Sequence, residues 1–177
     1  MDFLDLKLKM VKNMDKLKEY ILDKIFIISS QPVLFEDLLK ANALFNEGMM
    51  IDPAKLNFKF NLARLYLIYG IICLIFIFVG IVILHGLLVK IDSHFSIIGT
   101  AIITSCVFIG FDIFKRWARK EISLRLIKKA WGLHFAYFDY DKYSKIVETI
   151  YNEAQQNEIQ RKDLEKFVLE KLVNNKE

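Results

Sequence analysis

Cysteine is nearly absent from this chain: 177 residues hold two, Cys73 and Cys106, and they lack the spacing of a metal site or a disulfide-stapled scaffold. Histidine is almost as scarce. His85, His94 and His134 lie far apart, with no companion ligand three or four residues away. Asp139 and Asp141 open a sequence like that of a calcium loop. Ser144 stands where the sharp turn needs glycine, however, and Ile150 where a bidentate glutamate is needed, which excludes calcium there. No nucleophile, base and orienting group can be grouped from the sequence, so the expectation is a protein that is not an enzyme and needs no cofactor. A basic stripe with interleaved aromatics is also missing, which argues against a nucleic-acid partner.

The most informative absence is that of charge. Residues 65–89 contain no formally charged side chain, and residues 95–114 contain only Asp112. A bilayer core of about 30 Å needs roughly 20 helical residues, and both runs are long enough. A cleavable leader would carry a shorter apolar centre near residue 1, whereas these runs begin after residue 64. A helix apolar on all sides must be surrounded on all sides, which a chain of this size can hardly do in water. The expected fold class is an all-α membrane protein: a two-span transmembrane hairpin flanked by amphipathic cytoplasmic helices. Its expected divisions are a helical hairpin at 1–52, a helix leading into the spans at 53–114, and a basic juxtamembrane helix with C-terminal helices at 115–177.

Cations set the expected orientation. The turn formed by Lys90, Ile91, Asp92, Ser93 and His94 has no net charge, while Lys55, Lys59 and Arg64 precede the first run. After the second run, Lys115, Arg116, Arg119, Lys120, Arg125, Lys128 and Lys129 oppose only Glu121. Basic residues near span ends stay on the cytoplasmic side, so both termini should face the cytoplasm of a multi-pass inner-membrane protein. Tyr66, Tyr69 and Trp117 would sit at the same headgroup level. The seven basic residues after the second run are also expected to contact anionic lipid headgroups. Abundant Lys, Ile, Phe and Asn would suit an AT-rich bacterial genome.

Two prolines and a few glycines punctuate the flanks. An apolar stripe at Phe3, Leu6, Met10, Met14, Leu17, Ile21, Ile25 and Ile28 marks a first amphipathic helix, widened by Leu4, Leu8, Val11 and Leu22. Its face could meet the chain's own helices, a partner protein, another copy or the membrane surface. The positions Met10, Met14, Leu17, Ile21 and Ile25 are its candidate partner interface. Pro32 opens a second helix that should stop at Gly48. Asp52 and Pro53 repeat that start, and one continuous helix is expected from Pro53 to Val89.

The second long helix should end near Gly132. The rings of Trp131, Phe135, Tyr137, Phe138, Tyr140 and Tyr143 either cap a small core or rest on lipid. Tail stripes at Tyr143, Ile146, Val147, Ile150, Tyr151 and Ala154, and at Leu164, Phe167, Val168 and Leu172, predict one or two helices parting near Gln156 and Asn157.

Asp112 can pair with Lys115 or Arg116 on its own helix face, or line the mouth of an oligomeric pore. Ser96, Thr100 and Thr104, spaced by four, are expected to form a packing face or a pore-facing row, with Ala101 and Ser105 beside them. The favoured function is a membrane-anchored interaction or scaffold protein that self-associates or binds another protein. The alternative is a homo-oligomeric channel subunit.

Overall fold

The computed structural model describes residues 3–88 and 93–174, and side chains over 5–83 and 98–174. The expected turn residues 90–92 therefore lie outside the described residues, as do the side chains of His85, His94 and Ser96. The chain is mostly helical. In order come α1 (Phe3–Ile25), β1 (Phe26–Ile28), α2 (Phe35–Asn46), a 3-10 turn (Pro53–Leu56), β2 (Phe58–Phe60), α3 (Leu62–Leu88), α4 (Ser93–His134), α5 (Tyr140–Gln156) and α6 (Arg161–Asn174).

Two departures from the expected helices share one cause. The first helix ends at Ile25 instead of running on to Ile28, and the helix expected without break from Pro53 does not form. Asp52 does cap the proline-led turn, its carboxylate accepting the amide of Ala54 at 3.0 Å. Asn57 then adopts φ 55°, a left-handed conformation that asparagine tolerates and that stops helical propagation. Its side chain donates to the carbonyls of Gln31 and Pro32, fixing the reversal. The chain leaves it extended as β2, which pairs with β1 in a two-stranded sheet. Asn61 restarts the helix, its side chain accepting the amide of Arg64 at 3.3 Å and its carbonyl that of Leu65 at 2.9 Å.

The chain forms two compact units. The first comprises residues up to Ile27 together with Phe60–Arg119. In it α1 packs against α3, with Leu22, Ile25, Phe26 and Leu65 buried. The carbonyl of Ile25 accepts the amide of Asn61 at 2.8 Å, and the Phe26 and Phe60 rings lie 4.6 Å apart.

The second unit comprises 28–59 and the chain from Lys120 on. Here α2 packs on α5 and α6, and α5 on α6. Residues spaced by three and four close its core: Leu38 and Leu39 from α2, Ile122 and Ile127 from α4, Val147 and Ile150 from α5, Val168 and Leu172 from α6. The tail helices separate after Gln156, where expected, with Glu158 at φ 51° in the link. Gly48, at φ 76°, stops α2 as expected. Of the ring-rich segment, Trp131, Phe135 and Tyr143 enter this core, whereas Tyr137 stays 89% exposed.

Candidate functional site

The first unit carries an apolar surface that its own fold does not cover. Both α3 and α4 contain stretches long and apolar enough to cross a membrane, and no residue in the most apolar 18-residue window of either is buried. Large side chains such as Leu74, Phe76 and Phe78 on α3, and Ile102, Phe108 and Ile109 on α4, stand open. A soluble protein rarely leaves a continuous patch beyond a few hundred Å² in water.

The two helices meet through an aromatic clasp near the cation-rich end of α4. Tyr69 donates its hydroxyl to the Val107 carbonyl at 2.6 Å. Tyr66 stacks on Phe111 at 5.0 Å, and Tyr69 touches Phe111 and Phe114 at 5.2 and 5.5 Å. Gly110 makes the approach possible, because a Cβ there would come within 2.6 Å of the Tyr69 hydroxyl. Tyr69 and Gly110 are site residues that sequence reasoning missed. The sequence marks Tyr69 only as a headgroup-level ring, and no pattern links residues so far apart.

Clasp geometry makes a specific prediction. Tyr69→Phe should weaken helix association by about 0.6–2 kcal/mol, the range of an interhelical hydrogen bond in a membrane setting. Gly110→Ala should cost a similar amount by displacing the hydroxyl, yet be nearly neutral in a Tyr69→Phe background. Denaturation of the four proteins in micelles measures this coupling, and an equal Gly110→Ala cost in both backgrounds contradicts the clasp.

Above the clasp, α3 and α4 bound a cleft of about 560 Å³ lined by Ile72, Cys73, Phe76, Ile103 and Cys106 among others. The two cysteines are free thiols. Among the described residues, no group of histidine, cysteine and carboxylate side chains could hold a metal.

The hydroxyl row has a different surrounding from the clasp. Thr100 and Thr104 are exposed, with the Thr104 hydroxyl donating to the Thr100 carbonyl at 2.8 Å and that of Ser105 to Ala101 at 2.9 Å. Asp112, its side chain 67% exposed, pairs with Arg116 at 3.5 Å, as the spacing suggested. These groups form no shared site with the clasp rings.

The basic run divides between the units. In the first, Lys115 lies 5.8 Å from the Phe60 ring, Arg116 pairs with Asp112, and Arg119 is half-buried. In the second, Lys120 lies 5.9 Å from the Phe45 ring, Arg125 and Lys129 are exposed, and Lys128 holds Asp141 at 2.7 Å. The α1 stripe divides too. Ile25 is buried and Ile21 half-buried, whereas Met10, Met14 and Leu17 are 58%, 67% and 59% exposed.

The second unit is tied by polar contacts. Buried Asn42 donates to the Ser144 carbonyl at 2.8 Å, and Asn46 to Glu148 at 2.9 Å. Asp139 caps α5 by accepting the amides of Asp141 and Lys142. Burial, reinforced by the Asp141 charge, pushes the Tyr140 phenol up to about 12. Burial and then the charges of Glu36 and Asp37 raise Tyr151 as well. A cleft beside Phe35, Glu36, His134, Arg161 and Lys162 has partnered polar groups, with Arg161 on Glu36 at 3.0 Å and His134 Nε2 2.9 Å from the Val33 carbonyl.

No known protein family, curated protein or solved structure matches the chain.

Proposed function

We propose that this chain is a non-enzymatic integral membrane interaction protein. α3 and α4 form a two-span hairpin that anchors it in the inner membrane, with both termini in the cytoplasm. The helical second unit binds another protein or a second copy there. The supporting observation is that no residue in the most apolar 18-residue window of either helix is buried, and that most of their large side chains stand open. A soluble core helix of the same composition would be enclosed, and lipid is the solvent that makes such exposure favourable. The basic residues from Lys115 to Lys129 support the orientation and a contact with anionic headgroups.

Alkaline carbonate washing of membranes should leave the protein in the pellet, and detergent should release it. A Ser93→Cys label in a Cys73→Ser, Cys106→Ser background should be accessible from outside intact cells. Labelling only after the membrane is opened overturns the orientation, and release by carbonate overturns the anchor.

A homo-oligomeric channel is the second reading, favoured by the exposed Thr100, Thr104 and Asp112 on one helix. The anchor reading expects no ion flux from reconstituted protein. Flux that falls in Asp112→Asn would favour the channel instead.

A further inference from the structure

The apolar stripe of α1 is continuous, but the fold covers only one end of it. Leu22 and Ile25 are buried where α1 packs against α3, and Leu65 is the fully buried residue on the α3 side. Leu65 also begins the first uncharged run. The covered end of α1 is therefore fixed at the boundary of the proposed span, while Met10, Met14 and Leu17 remain open on the same helical face.

We propose that α1 lies on the surface of an anionic bilayer, with Met10, Met14 and Leu17 among its acyl chains. This placement rests on reading α3 and α4 as spans. Charge complementarity favours lipid: α1 carries six lysines against four acidic residues, and the excess lies along its open part, where residues 5–18 hold five lysines against two aspartates. A basic amphipathic helix with a wide apolar sector fits a planar interface, and Val11 and Leu8, both exposed, widen this one. At 100° per residue Lys7 falls between Met14 and Val11, inside the widened sector, where its stem can follow the apolar surface while its ammonium rises to phosphate.

A second copy of the chain fits less well. Pairing two α1 helices in parallel along the stripe would place Lys7 opposite Lys7 in the seam, and Ile21 and Ile25 are already engaged within the first unit. The remaining apolar positions also fall short of the three to four heptads that mark a coiled coil. Attachment to the span base makes lipid contact intramolecular, so each lysine need add only a small attraction.

Full-length protein in nanodiscs of phosphatidylcholine, with or without phosphatidylglycerol, tests this. Spin labels are placed at Met14→Cys, Lys12→Cys or Phe78→Cys in the Cys73→Ser, Cys106→Ser background. In anionic discs the Met14 label should be accessible to oxygen and protected from a water-soluble nickel complex, while the Lys12 label shows the reverse. Lys7→Gln should lower the ratio of lipid-bound to free α1 about fivefold, the equivalent of about 1 kcal/mol. A Met14 label open to nickel in anionic discs, with the Phe78 label at bilayer depth, overturns the α1 proposal alone. A Met14 label shielded equally in uncharged discs, with dimeric mass, assigns the face to a second copy. A Phe78 label in water removes the spans themselves.

Discussion

Trp131→Ala is expected to unfold the second unit while leaving the first intact. The indole is 2% exposed and packs on Phe135 and Tyr140 at 4.4 and 5.2 Å. Its Nε1 donates to the Phe138 carbonyl at 2.6 Å, holding the chain where α4 gives way to α5. Truncation of a buried tryptophan typically costs about 3–5 kcal/mol, a large share of the total stability of a small domain. The carbonyl of Phe138 loses its donor as well. Limited proteolysis should then clear α5 and α6 rapidly, while fragments holding α3 persist. Trp131→Phe keeps a ring but not the hydrogen bond, and should fall between. An unchanged cleavage pattern in Trp131→Ala would show that the second unit does not depend on this ring.

The parts legible in the sequence are those with long periodicity or chemically specific punctuation. The stripes of α5 and α6 repeat every three or four residues, and Gly48 supplies the left-handed φ that ends α2. The two strands had no such signal. At three residues each they are too short to show alternation, and Ile28, three residues after Ile25, continues the helical spacing of α1. Asn57 and Asn61 carry the break, one as a left-handed stop and one as a new cap, and the helix expected from Pro53 to Val89 runs through both.

Tertiary pairings were harder still. The Thr104 and Ser105 hydroxyls donate to the carbonyls four residues back, which satisfies them without a neighbouring helix, so hydroxyl spacing alone does not identify a contact. The clasp instead joins one glycine to one tyrosine on another helix. A search for paired small residues within each span cannot find that combination. The split of the α1 stripe into covered and open ends likewise depends on where α3 begins, information that the stripe itself does not contain.

The anchor is tested most severely by a double substitution, Leu74→Asp with Phe78→Asp. Both side chains are 68% exposed. If water surrounded α3, acidic residues at such positions would change stability by no more than about 0.5 kcal/mol and would improve solubility. If lipid surrounds it, each aspartate near the middle of the span costs about 2.5–3.5 kcal/mol, so the pair opposes insertion by about 5–7 kcal/mol. The two solvents thus predict opposite outcomes from the same exposure. The double variant should leave the membrane fraction for inclusion bodies or rapid degradation, while Leu74→Ile with Phe78→Leu remains membrane-bound. Both proteins are compared by carbonate extraction and total yield. A double-aspartate protein that is soluble, folded and at least as abundant as the parent would mean that water, and not lipid, faces α3.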